Sequence, residues 1–201
     1  MVERYDVGSY NQQVTINIDD LITKHKQFGR NSRLLNKVIL VAIDNAIDDL
    51  RERTVEKMKE NMGRYGLSSG TLYNNITVDR LDSGFYITTK GENTWGYDYA
   101  MSVEFGTGIV GSGSPHPKIA ESGWVYDVNQ HGDYGWIYPT TSDDPNPTKY
   151  VGKDGQYYAW TAGTESRPFM YDTWLWLSRT WNNVIRGYIN RALKEWGEDL
   201  V

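Results

Sequence analysis

The chain has 201 residues, with 21 Lys and Arg against 26 Asp and Glu, no cysteine, and 8 Trp and 15 Tyr against 4 Phe. The missing cysteine excludes disulfides, thiolate catalysis and cysteine-based zinc sites, and a net charge of −5 disfavours a free-standing binder of duplex nucleic acid. No apolar run approaches the ~20 residues of a membrane span, and the polar start MVERYDVGSYNQQ lacks a signal-peptide core, so the expectation is a soluble protein made in the cytoplasm, without membrane contact.

Residues 1–13 read as a flexible arm. VTINID then alternates Val14, Ile16 and Ile18 on one side, the pattern of a short strand. Asp20 suits the cap of a short helix over 21–28 that Gly29 closes. From Ser32 the pattern turns helical, with Leu35, Ile39, Ala42, Ala46, Leu50, Val55, Met58 and Met62 along one stripe. Neither Gly nor Pro interrupts 32–62, which predicts roughly 45 Å of helix with a charged, solvated opposite face.

Gly63, Gly66 and Gly70 end that helix. GTLYNNITVDRL and GFYITTK predict two strands around a turn at Asp82-Ser83-Gly84. Residues 97–105 read as a short helix with Tyr99, Val103 and Met101 facing inward. The stretch 107–155 is dense in Gly, Ser, Pro and Asp; within it GWVYDVNQHGDYGWIYP reads as a hairpin of aromatic strands bent at NQHGD, and GQYYAWTAG as a further strand. Pro168 suits the first turn of a second long helix from Phe169 to about Trp196, with Trp174, Leu177, Trp181, Ile185, Tyr188, Ile189 and Leu193 on its stripe. The fold class expected is α+β: an antiparallel sheet flanked by the two long helices, one domain over 1–201, with an aromatic loop or hairpin insert over 109–156.

Few residues carry a chemical signal. FGTG lacks the Lys and the strand-then-helix order of phosphate loops, and Gly106 and Gly108 are better explained as a helix end that needs left-handed backbone. Glu104 offers a general acid, but nothing in the spacing of Asp98, Glu121, Asp127, Asp133 and Glu165 selects a partner carboxylate. His25, His116 and His131 lack metal-ligand spacing. No catalysis, cofactor or metal is expected. In ESRPFM, Pro168 presets the helix start, Phe169 anchors it, and Arg167 has Glu104 as a reasonable partner; the segment is either a subunit contact or an internal junction.

YAMSVEFGTG, followed after the aromatic insert by SRPFM at the start of the terminal helix, resembles the tail-completion, or head–tail joining, proteins of lambda-like phages and prophages. Tyr99, Ala100, Val103, Glu104, Phe105, Gly106 and Thr107 match the first family segment, and Arg167, Pro168, Phe169 and Met170 the second. The longer insert is similar to that of an extended subgroup from prophages of Gram-positive hosts. The resemblance covers roughly 14–196. It implies a ring-forming virion protein of the phage neck, assembled in the host cytoplasm, typically six-fold, contacting neighbouring neck and tail proteins and passing DNA without sequence-specific contact. Expected interface or junction residues are Glu104, Phe105, Trp124, Tyr126, Trp136, Tyr138, Arg167 and Phe169, because large rigid side chains bury area at low entropic cost. The insert carries three lysines against six acids, which suits a surface that lets DNA slide. Rival readings are a tail terminator, a carbohydrate-binding tail-tip module with Trp124, Tyr134 and Trp136 as a stacking platform, and an enzyme acting through Glu104.

Overall fold

A computed structural model of the chain describes residues 2–6, 13–17, 33–92, 98–127 and 135–198. It divides into two compact units, Met1–Trp95 with Phe169–Val201, and Gly96–Pro168. Both combine helices with antiparallel strands, so the fold is α+β, as expected. Among the described residues, no helix is long and apolar enough to cross a membrane.

The first unit is built on helices α1 (Arg33–Arg64) and α6 (Phe169–Glu198). α1 buries Ile39, Ala42, Ile43, Ala46, Ile47, Leu50, Met58 and Met62; six of these lie on the expected stripe, Ile43 and Ile47 widen it, and Leu35 and Val55 are only half-buried. α6 buries Phe169, Met170, Leu177 and Ile185. The two helices run antiparallel: at one end the Asn61 amide donates to Thr173 Oγ1 (2.9 Å) and Tyr65 Oη to Asp172 (2.9 Å), and at the other Leu34 and Val38 face Ala192 and Trp196. Thr173 Oγ1 in turn donates to the Phe169 carbonyl, so both members of the buried Asn61–Thr173 pair are satisfied.

A four-stranded antiparallel sheet completes this unit in the order β1 (Val2–Asp6), β2 (Gln13–Asn17), β4 (Gly84–Thr88), β3 (Thr77–Leu81). A one-turn helix α2 (Thr71–Asn74) leads into β3. β3 and β4 form the expected hairpin, with Thr77 opposite Thr88 and Leu81 opposite Gly84, but the first strand, expected over 70–81, begins only at Thr77 because 71–74 is helical. β4 is interior in the sheet and turns Phe85 and Ile87, both fully buried, toward the core. Arg80 on β3 reaches Asp44 and Asp48 of α1. Where the sequence suggests a flexible arm over 1–13, Val2–Asp6 pairs with β2 as an edge strand. The expected short helix over 21–28 lies outside the described residues.

The second unit begins with α3 (Ala100–Phe105), α4 (Gly108–Gly113) and α5 (Ile119–Ser122). It continues in a three-stranded antiparallel sheet ordered β5 (Trp136–Thr140), β7 (Tyr157–Thr161), β6 (Tyr150–Val151), and ends with the two-residue strand β8 (Gly163–Thr164). Three expectations need correction. In α3 the buried residues are Ala100, Glu104 and Phe105, while Tyr99, Met101 and Val103 are half-buried. Residues 108–113, expected as loop, are helical despite three glycines, because tertiary bonds override a weak propensity: Val110 N–H donates to the Ala162 carbonyl and Gly108 N–H to that of Tyr126. The aromatic hairpin is not formed by GWVYD and GWIYP: residues 124–127 are not a strand, and β5 pairs with β7 instead. The proposed bend at 129–133 lies outside the described residues. The insert expected over 109–156 lies inside this unit, which runs from Gly96 to Pro168, with Ser166 and Arg167 bonded to Glu104 and Val103 across it.

Candidate functional site

The second unit holds both segments singled out by the sequence. Asp98 Oδ1 accepts the Ala100 N–H (3.0 Å) in a turn just ahead of α3. The helix stops at Gly106, whose φ is 75°. A Cβ there would lie 2.7 Å from both Ser166 N and the Thr164 carbonyl. Gly-Thr-Gly is therefore a close crossing of two backbones and offers no cradle for a phosphate. Thr107 and Gly108 bridge to Thr164 and Gly163 across this crossing, Ser166 Oγ donates to the Glu104 carbonyl (2.7 Å), and Arg167 N–H donates to the Val103 carbonyl (2.9 Å).

Beneath the crossing lies a buried polar pair. Glu104 Oε1 is 3.2 Å from His116 Nε2, and neither side chain has any solvent exposure. His116 Nδ1 accepts the Lys118 N–H at 3.0 Å. The ring proton therefore sits on Nε2 and is donated to the carboxylate. Phe105 covers the imidazole, ring centroids 4.2 Å apart, and Trp124 covers Phe105 at 5.7 Å. Trp124 Nε1 donates to the Gly106 carbonyl (2.9 Å). With donor and acceptor both engaged and no opening to solvent, this imidazole is arranged to latch α3 to the 116–118 turn rather than to take a proton from a substrate.

Seven of the eight site residues expected from sequence lie in this unit. Glu104, Phe105 and Trp124 form the latch; the Tyr126 carbonyl accepts the Gly108 N–H; Arg167 contributes its backbone N–H. Trp136 and Tyr138 lie on the inner face of the sheet. Phe169 is the buried first residue of α6 in the other unit. The expected Arg167–Glu104 pairing is replaced by Glu104–His116. His116 carried little signal in the sequence because its partner is set by folding, not by spacing.

Alternation sorts the three-stranded sheet into two faces. The inner face carries Trp136, Tyr138, Thr140, Tyr157 and Thr161 around Ala159, which is fully buried. The outer face carries Ile137 directly opposite Trp160, 54% and 43% exposed, then Pro139 opposite Tyr158, and Tyr150 opposite Tyr158 on β6. The Tyr150 and Tyr158 rings stack at 5.8 Å, and Tyr158 Oη donates to Asp154 (2.7 Å). This outward surface is apolar and aromatic, where an antiparallel sheet facing water ordinarily turns polar side chains.

The loop between β5 and β6 holds this face rigid. Thr148 Oγ1 accepts the Trp160 N–H (2.8 Å), and the Trp160 carbonyl accepts from Asn146 Nδ2 (3.0 Å) and Thr148 Oγ1 (3.1 Å). Asp144 accepts from Thr140 Oγ1, from Asn146 N–H (2.8 Å) and from Tyr138 Oη (3.1 Å). The Thr140 hydroxyl, then the Asn146 backbone N–H, hold the Asp144 carboxyl below the usual carboxylate range. Burial pushes the Tyr138 phenol up; its bond to Asp144 adds to this and that from Asn146 opposes it. TSDDPNP, which reads as a breaker, is thus a brace for the sheet.

In the first unit a groove of about 680 Å³ opens between the start of α1 and the end of α6, lined by Leu34, Val38, Val41, Tyr188 and Trp196 among others. Among the described residues, no group of three His, Asp or Glu is placed to hold a metal ion. No protein-family model, curated protein sequence or solved structure matches the chain.

Proposed function

We propose that the protein is a structural subunit of a tailed-phage neck, a tail-completion component that works by joining copies of itself into a ring and seating neighbouring neck and tail proteins. The reading rests on the resemblance of the YAMSVEFGTG and SRPFM segments, and one structural observation carries it: the exposed Ile137–Trp160 face of the second unit. Rigid aromatic side chains on a braced backbone lose little entropy when covered, which suits a surface meant to be buried against another subunit. A heterologous contact through this face, repeated, closes a ring or extends a stack. The buried latch supports a building-block role for Glu104 rather than a catalytic one.

Sedimentation velocity and electron microscopy of the full chain test this. The wild type should form closed oligomers whose population rises with protein concentration. Trp160→Asp with Ile137→Asp should remain folded and stay monomeric. A monomeric wild type up to high concentration, or unchanged oligomers in the double variant, would remove the self-assembly role. Gene order provides a separate check: a position between portal and major tail genes fits the neck, and one beside a baseplate gene does not. A stacking platform for sugar rings on Trp160 and Tyr158 is the second reading that the exposed face allows; glycan binding by the monomer would favour it.

A further inference from the structure

The polar face of α6 is basic although the chain as a whole is acidic. From Thr173 to Lys194 the helix contains no Asp or Glu. Its solvent-exposed positions between 179 and 194 are four basic residues, three asparagines and Gly187. Arg179, Asn183, Arg186, Asn190 and Lys194 follow steps of three or four residues and so form one stripe, opposite the side that buries Leu177 and Ile185. Among the described residues, neither the Arg179 nor the Arg186 guanidinium has a hydrogen bond or ion pair. Arg191, beside the stripe, lies over the Tyr188 ring at 4.4 Å.

We infer that this stripe is a sequence-independent contact for the phosphate backbone of duplex DNA. At 1.5 Å per residue the three charges Arg179, Arg186 and Lys194 are spaced about 10–12 Å along the helix. That matches the ~12 Å major-groove width, so a helix lying across the groove brings guanidinium groups to phosphates on both sides. The asparagines between them supply neutral amide donors, which add further, weaker contacts to phosphate oxygens. A second copy of this chain is the less suitable occupant. The acidic residues on its α1 are largely engaged within their own subunit: Asp44 and Asp48 by Arg80, and Glu60 by Lys57. The net charge of −5 disfavours tight binding far from the stripe but does not cancel a local field, since exposed charges beyond about 10 Å are largely screened at 0.1 M salt. The inference does not depend on the neck reading: the stripe would contact DNA in any assembly that leaves it exposed.

The test is fluorescence anisotropy of a labelled random-sequence 20-base-pair duplex with the full chain, at 50–200 mM salt. Binding in the 10⁻⁴–10⁻⁶ M range typical of non-specific contacts is expected, with a log–log salt slope of about −3 for three phosphates. Arg179→Ala with Arg186→Ala should weaken binding at least tenfold at low salt and reduce the slope by about 2. Arg53→Ala with Lys59→Ala on α1 removes the same charge elsewhere and should change binding less than twofold. Circular dichroism should show all variants folded, because the replaced side chains are exposed. No duplex binding at 50 mM salt, or equal losses in the two double variants, overturns the inference. So does a change in oligomeric state of the α6 variant with DNA binding intact, which would assign the stripe to a protein partner.

Discussion

Glu104 and His116 face each other at 3.2 Å in a site that solvent does not reach, twelve residues apart and on either side of the Gly-Thr-Gly crossing. Removing the imidazole would leave a buried carboxylate without this donor. His116→Ala should therefore destabilise the protein by about 2 kcal/mol, the scale for losing one hydrogen bond to a charged group. Urea denaturation would measure it. A loss below about 1 kcal/mol would mean that the pair contributes little to holding α3.

Gly106 and Gly155 both have positive φ, 75° and 81°, but differ in surroundings: a Cβ at 155 meets nothing within 4 Å, whereas one at 106 collides with three backbone atoms. Gly155→Ala should cost about 1 kcal/mol, the conformational term alone. Gly106→Ala should cost several times more or prevent folding, as read from thermal midpoints. Equal effects would show that the crossing relaxes freely.

Asp144 has a folded-state pKa below its unfolded value, so its contribution to stability is present above the unfolded pKa and is lost as pH falls through the folded one. The stability difference between wild type and Asp144→Asn should stay constant from pH 7 to about pH 4, near the unperturbed Asp value, and shrink below it. Chemical denaturation at stepped pH would follow this. A gap that widens on acidification would contradict the bonding around Asp144.

Trp136 and Trp160 are both on the aromatic sheet but on opposite faces. Trp136→Ala should lower stability by about 2–3 kcal/mol through lost packing, with Gly108 among its neighbours. Trp160→Ala should change stability by less than about 1 kcal/mol and instead reduce self-association. Paired melting and sedimentation measurements distinguish the two. The reverse pattern would exchange the inner and outer faces.

The Asn61–Thr173 bond joins α1 to α6 inside the first unit, with both residues fully buried. Thr173→Val should cost about 1–2 kcal/mol by stranding the Asn61 amide donor. Adding Asn61→Leu should recover part of that loss if the cavity accepts the new shape. Additive losses in the double variant would show that the two side chains are not coupled.

The sequence by itself determined the elements whose signal is local and long. α1 and α6 were legible because an apolar stripe repeats over about thirty residues, free of Gly and Pro from 32 to 62 in α1 and carried across the single mid-helix Gly187 in α6, and β3–β4 because alternation brackets a tight turn. The tertiary structure alone decided which faces and partners matter. Strand alternation separates Trp136 from Trp160 but cannot say which side meets the core, since aromatic side chains stand on both faces of the β5–β7 pair and the threonines, Thr140 and Thr161, fall on the inner one. Nor could spacing pair Glu104 with His116: the segment between them is glycine-rich and is held helical by bonds to residues outside it, from Gly108 to Tyr126 and from Val110 to Ala162. Burial and buried hydrogen-bond partners are set by chain segments distant in sequence, and a one-dimensional pattern records only the local half of that choice.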